Sequence, residues 1–261
     1  MSLDAKIKES LSILDDMVTE HAPVAVFGMF SGGHDSLCAV HLASTHPAFT
    51  GAAHVNTTIG IERTRQFVRD TCARHAWSLK EYTPPVPYRE IVWKHGFPGP
   101  GAHAFMYARL KERCVRALVR EHKSERKDRV ALVTGVRLAE STRRMGHVVP
   151  VVRAGAQVWT APILHWTDDD KNEYMARFGL ARNPIVDALC MSGECLCGAF
   201  ASRGELQALK RVDPAAYAFI RQLEEEVALF GKPATWGVRP GAAPKKTKPK
   251  PGLCFSCEEK L

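Results

Sequence analysis

Six consecutive residues, Ser31-Gly32-Gly33-His34-Asp35-Ser36, combine two hydroxyls, two glycines and a carboxylate in one short turn. Paired glycines let the backbone approach a ligand closely, and consecutive amides in a tight turn form a concave anion site. A helix starting at Asp35 would aim its positive end at the same place, so the chemistry expected is phosphate binding. The usual phosphate loop ends in Gly-Lys-Ser/Thr, and this turn does not. A second reactive set lies downstream: Cys190, Cys195 and Cys197, then Cys254 and Cys257. Cys-x-Cys and Cys-x-x-Cys each let two thiolates face one centre, and four thiolates suffice for tetrahedral zinc or a cubane iron–sulfur cluster. Cys195, Cys197, Cys254 and Cys257 are therefore the expected metal ligands, with Cys190 as a substitute or a separate reactive thiol. Ligand type alone does not separate zinc from iron.

The turn works only if a strand delivers it and a helix leaves it. Val24 to Phe30 is an apolar run that reads as a buried strand ending at Ser31, and a helical pattern runs from Asp35 to about Ser44. Before it, Leu3, Ile7, Leu11, Leu14 and Val18 give an opening amphipathic helix. Gly51 to Asn56, Leu79 to Tyr82 and Val130 to Thr134 read as further strands, with a helix from Ile61 to Trp77. A Pro/Gly-rich loop surrounds a short element from Tyr88 to Lys94, and a helix is expected from Ala104 to about His122. His103, Tyr107 and Lys111 fall one turn apart on that helix, a face that lines the nucleotide pocket or is simply solvated. Val148–Val152 and Gln157–Ala161 form a hairpin pattern. Thr167 with Asp168, Asp169 and Asp170 reads as an N-cap and acidic first turn of a helix ending near Gly179. From Glu205 to Phe230 the pattern is helical, broken at Pro214.

Alternating strands and helices predict an α/β fold, doubly wound around a largely parallel sheet, with a C-terminal helical and cysteine-rich extension. In such sheets ligands bind beyond the carboxyl ends of the strands. Those ends are Ser31, Asn56 and Gly135, which places Asn56 and Gly135 with the loop. The expected organisation is a nucleotide-binding domain over residues 1–200, helices over 201–230, and a Pro/Lys linker with a Cys-x-x-Cys tail over 231–261.

With 261 residues, 45% hydrophobic and 25% charged, the chain can bury a sizeable core. No apolar run reaches the roughly 20 residues that span a bilayer. The N-terminus has no signal-peptide pattern, so a cytoplasmic protein without membrane contact is expected. Eight cysteines in that setting do not suggest a disulfide scaffold. Cys38, Cys72 and Cys114, isolated in helical patterns, are expected to be small buried residues. A net charge of +8 favours polyanionic partners, nucleotides or nucleic acid, although part of it sits in the Lys/Pro tail.

The order Ser-Gly-Gly-x-Asp-Ser resembles the PP-loop, the pyrophosphate-binding signature of ATP pyrophosphatases and sulfonucleotide reductases. It is followed by Gly135-Val-Arg137-Leu-Ala-Glu140-Ser141-Thr142-Arg143-Arg144, by Pro162 to Asp170, by Asn183-Pro184 and by Cys195-Leu-Cys197. In this order, over roughly residues 20 to 200, the chain resembles the phosphoadenosine phosphosulfate (PAPS) reductase family of the adenine nucleotide alpha-hydrolase-like superfamily. The resemblance implies a PP-loop, HUP-like fold with Ser31, Gly32, Gly33, Asp35 and Ser36 on the phosphates. His34 fills the variable position of that loop and is grouped with the nucleotide-binding residues. Asp35 would also position Mg²⁺, and Arg137 and Arg143 would contact the phosphate or sulfate end. Asp35, Ser36, Arg137 and Arg143 are the residues expected to carry catalysis.

Sulfonucleotide reductases carry a Glu-Cys-Gly-Leu-His segment whose cysteine attacks sulfur, and no such segment occurs in these residues. The expected ligand is therefore ATP with Mg²⁺ in preference to PAPS. The resemblance then points to the ATP-hydrolysing subunit of DNA phosphorothioation, with a [4Fe-4S] cluster and zinc as the alternative. The expected activity is cleavage of ATP at the α–β bond to activate an acceptor in sulfur or nucleic-acid modification. Nucleic acid or a sulfur-carrier or redox protein would be the partner. Two other readings stand beside it: a reductase using atypical thiols, and a nucleic-acid-binding module with a relic loop.

Overall fold

A computed structural model describes residues 1–140 and 148–237. In chain order its elements are α1 (Leu3–His21), β1 (Ala25–Met29), α2 (His34–Ser44), β2 (Phe49–Val55), α3 (Glu62–Arg74), β3 (Leu79–Tyr82) and α4 (Tyr88–His95). A 3₁₀ turn (Pro100–Ala102), α5 (His103–Tyr107), a π-helical turn (Ala108–Glu112), α6 (Arg113–Glu121), β4 (Val130–Val133) and a second 3₁₀ turn (Leu138–Glu140) follow. The rest is β5 (Val151–Ala154), β6 (Gln157–Thr160), α7 (Asp168–Arg177), α8 (Pro184–Leu189), α9 (Arg203–Val212) and α10 (Pro214–Leu229). Among the described residues no helix is long and apolar enough to cross a membrane.

The chain divides into two compact units that interleave along the sequence. The first takes Met1–His54, Gln66–Tyr82 and Arg116–Asn183. It is built on a six-stranded sheet in the order β3-β2-β1-β4-β6-β5. β1 runs parallel to β2 and β4, β4 runs parallel to β6, and β5 closes the edge antiparallel to β6 as the expected hairpin. All residues of β1 and β4 are buried, as strands covered on both faces must be, which is why they read as unbroken apolar runs. The edge strand β3 instead carries Lys80 and Glu81, paired with Glu121 and Arg69, charges that block edge-to-edge association.

Gly28 lies in β1 because α2 packs directly over it: a Cβ there would meet Val40 at 2.7 Å. Trp166 is buried in the same core, and its indole N–H donates to the buried Ser10 hydroxyl at 3.0 Å. Helix α7 starts with a capping box in which Thr167 and Asp170 satisfy each other's backbone amides, so the expected cap is present. It ends in a paired motif: Leu180 N–H bonds the Met175 carbonyl at 2.9 Å and Gly179 N–H the Ala176 carbonyl at 3.3 Å. Gly179 sits there at φ +61°, where glycine carries no steric penalty.

The second unit takes Val55–Arg65, Thr83–Val115 and the described residues from Pro184 onward. Its core joins Ile61, Tyr88, Leu110, Leu196, Leu223 and Trp236 with their neighbours. α9 and α10 meet at Asp213-Pro214, the expected break, where Asp213 accepts from the Ala216 amide at 2.9 Å and caps α10. The helix expected from Ala104 to about His122 is present and contains a π-helical turn. It begins at His103 and passes through the π-helical turn over Ala108–Glu112 before α6.

Candidate functional site

The loop leaving β1 is shaped by its own side chains. Gly32 turns the chain at φ +79°, and Gly33 is the extended residue before α2, with no side chain to cap it. The first amides of α2 therefore have no intrahelical partner and no side-chain cap, the arrangement that receives an anion. Ser36 Oγ donates to the Gly33 carbonyl at 2.8 Å, accepts from Ser31 N–H at 3.3 Å, and lies 3.1 Å from Ser31 Oγ. Helix α2 starts at His34, one residue before its expected start.

Three residues from two segments of the same unit hold this loop. Gly135, just after β4, packs so tightly that a Cβ would lie 2.4 Å from the Asp35 carbonyl carbon and 2.5 Å from Ser36 N. Asn183 is fully buried; its Nδ2 donates to the Gly32 carbonyl at 2.9 Å and its N–H to His34 Nε2 at 3.1 Å. His34 thus acts as a buried acceptor that ties the loop to Asn183. Arg137 is the third holder. Its side chain is 3% exposed, and it donates from Nε to Asp35 at 2.8 Å, from Nη2 to Asp168 at 2.9 Å and from Nη1 to the Trp166 carbonyl at 3.2 Å. Its observed bonds are thus to protein groups.

Lys171 completes a cluster of four charges, 2.7 Å from Asp168 Oδ1 and 3.7 Å from Asp35 Oδ1. The hydrogen bond from Lys171, with the Arg137 charge beside it, holds the Asp168 carboxyl below the usual range. Nearby, burial first and the Asp35 charge second push the Cys38 thiol up to about 12. Burial raises Cys72 to about 12 and Cys114 to about 11, so all three are the inert core cysteines expected. Sequence reasoning missed Asp168 and Lys171, having read the aspartate run as helix capping. The signal lay in the spacing: only Asp170 stands at the third helical position that closes a capping box, which leaves Asp168 for another partner. Arg143 lies outside the described residues.

Asn56 belongs to the second unit, where its Oδ1 accepts from Thr58 N–H at 3.0 Å and closes a short turn. That unit also carries the Cys-x-Cys segment, held by its backbone. Leu196 N–H donates to the Ile59 carbonyl at 3.2 Å, the Leu196 carbonyl accepts from Trp236 Nε1 at 2.7 Å, and the Cys197 carbonyl accepts from Tyr88 Oη at 2.7 Å. Burial, then the neighbouring Cys197 and Cys195, drive the Tyr88 phenol well above its ordinary value. Cys195 and Cys197 line a pocket with His103, Tyr107, Lys111, Met106 and Leu110. The helix face that the sequence left open thus faces the cysteine segment, in a small pocket that no residue of the Ser31–Ser36 loop lines. Cys190 is exposed at φ +55°. Among the described residues no group of three or more His, Cys, Asp or Glu is arranged to hold a metal. Cys254 and Cys257 lie outside them.

The fold is similar to that of a phosphoadenylyl-sulfate (PAPS) reductase from Candida auris in a phosphate complex. The two share 16% identity over 71% of this chain and 89% of that one, with a TM-score of 0.51. It is also similar to FMN adenylyltransferase from Candida glabrata, in complex with FAD and inorganic pyrophosphate. There the identity is 14% over 72% of this chain and 61% of that one, with a TM-score of 0.52. At such identities the likeness is one of fold. No curated protein sequence matches the chain. The family model of the phosphoadenosine phosphosulfate reductase domain matches residues 25–197. Since that stretch is well over half of its length, the chain belongs to the phosphoadenosine phosphosulfate reductase family.

Proposed function

We propose that the chain binds ATP with Mg²⁺ at the Ser31–Ser36 loop and cleaves it between the α and β phosphates. A nucleophile on an acceptor attacks the α-phosphorus, the bond to the bridging oxygen breaks, and pyrophosphate leaves with its electron pair, so the acceptor carries the adenylyl group. The observation that carries this reading is the fixed start of α2. Its uncapped amides are held in place by Gly135, Arg137 and Asn183, and preorganised donors of this kind supply most of what phosphoryl and adenylyl transfer needs. Asp35 adds a carboxylate beside an anion site, an arrangement that suits a polyphosphate arriving with a divalent cation.

The acceptor is read as a group in sulfur or nucleic-acid modification, delivered by nucleic acid or by a sulfur-carrier or redox protein. Cys195 and Cys197, with Cys254 and Cys257, would hold a metal centre: a [4Fe-4S] cluster by family resemblance, zinc by donor chemistry alone. Bound there, a cluster supplies one-electron chemistry and zinc a structural cross-link. Incubation of the full chain with MgATP and candidate acceptors should release pyrophosphate and leave AMP joined to the acceptor, freed only when a second nucleophile or water displaces it. ADP and phosphate as the sole products would overturn the reading. Family membership favours one other reading, a sulfonucleotide reductase, which predicts thiol-dependent sulfite release from PAPS under anaerobic conditions.

A further inference from the structure

Helices α2 and α7 lie in a fixed register within the first unit. His41 Nδ1 is 2.8 Å from the Tyr174 hydroxyl, and Cys38 Sγ reaches the Lys171 carbonyl one turn earlier. One turn earlier again, the register brings the first turn of α7 to Asp35. There Asp168 and Lys171 meet Asp35 and Arg137. The cluster holds two cations and two carboxylates, so its formal charge is zero. Arg137, three bonds deep and 3% exposed, is locked into the protein. Lys171 carries its charge on a flexible stem, bridges both carboxylates, and is 14% exposed.

We propose that Asp168 and Lys171 are positioning residues of the phosphate loop, fixing the orientation of Asp35 and the net charge that a magnesium–polyphosphate complex meets. This rests on the nucleotide reading above and extends it to residues that belong to neither loop nor arginine motif. The charge balance gives the proposal a signature that a purely structural role lacks. Loss of the Lys171 charge leaves two carboxylates against one guanidinium and repels the incoming phosphates. Loss of the Asp168 charge leaves two cations against Asp35 alone and attracts them. The two substitutions should therefore move affinity in opposite directions, whereas damage to packing would weaken binding in both.

The test is calorimetric binding of magnesium pyrophosphate, and separately of MgATP, to the full chain and to K171M, K171R and D168N, with thermal midpoints measured in parallel. K171M should bind magnesium pyrophosphate about tenfold more weakly and need more Mg²⁺ to half-saturate. D168N should bind it as well as or better than the parent, and K171R should stay within about threefold of it. Affinities unchanged in K171M, or lowered alike in K171M and D168N, overturn the proposal. A parent chain that binds magnesium pyrophosphate but releases none from ATP overturns the proposed reaction, while the K171M and D168N affinities still decide the positioning roles. A parent chain that binds neither ligand overturns both.

Discussion

In the loop Ser31–Ser36 side chains do the holding, Ser31 and Gly33 spending their amides on them, and the amides at the start of α2 are the groups proposed to act. In the segment Glu194–Cys197 the backbone and the buried Glu194 carboxylate do the holding, the carboxylate accepting from Thr57 N–H at 2.9 Å and pairing with Arg65. His34, Asp35 and Ser36 each spend a side chain on anchoring, to Asn183, Arg137 and the Gly33 carbonyl. The Cys-x-Cys segment spends Leu196 N–H, the Leu196 carbonyl and the Cys197 carbonyl, while the Glu194 carbonyl accepts from Thr57 Oγ1. The difference follows from the chemistry each site offers. An anion cradle is made of N–H groups, so the loop needs glycine where the ligand approaches and anchors supplied from outside. A thiol pair is made of side chains, so the segment is flanked by turns, Gly193 at φ +71° and Gly198 at φ +82°, and anchored through its main chain.

The largest test of this contrast is Gly135→Ala. A methyl group 2.4 Å from the Asp35 carbonyl carbon cannot be accommodated without moving the backbone that carries the amides. Overpacking of this kind costs about 1–3 kcal/mol, and if it falls on the bound geometry MgATP affinity drops by up to about 100-fold. Calorimetric titration checks this, and unchanged affinity would break the claim that the amides are the working groups. Asn183→Ala should act in the same direction but less. It strips the Gly32 carbonyl of its donor, a loss of about 1–3 kcal/mol for a buried group, and should weaken nucleotide binding about tenfold.

How much of this was legible depended on distance along the chain. β1, β4, the β5–β6 hairpin and the break at Pro214 were readable because burial on two faces, a turn and a missing N–H each leave a local mark. The loop itself was readable for the same reason. Of its support, Gly135 could be placed at the end of its strand, but the side-chain pairings could not. The partner of Asp35 stands 102 residues away at Arg137, and the partner of His34 stands 149 away at Asn183; no periodicity encodes such pairings. The π-helical turn was hidden because Met106 and Leu110 keep the four-residue spacing a plain helix would show. His103, Tyr107 and Lys111 could be placed on one face, yet only the fold brings the wall of Cys195 and Cys197 to it.

The smallest expected effect is the most diagnostic of the thiol segment. At pH 8 a thiol with a pKa of about 12 is ionised to about one part in 10⁴, so native Cys38 and Cys72 should resist maleimide until the chain unfolds. Because their thiolate fractions rise with pH, their labelling should climb tenfold per unit and still trail the exposed Cys190. Tyr88→Phe removes one hydrogen bond, from the buried phenol to the Cys197 carbonyl, at about 1 kcal/mol. If the main chain is what presents the thiols, that loss loosens the segment and Cys195 labels a few-fold faster, with Cys38 and Cys72 unchanged. Mass spectrometry of timed samples separates the sites. Cys195 labelling at the parent rate in Tyr88→Phe would mean that the remaining anchors at Ile59 and Trp236 suffice, and that backbone clamping at Cys197 is redundant rather than the means by which the pair is presented.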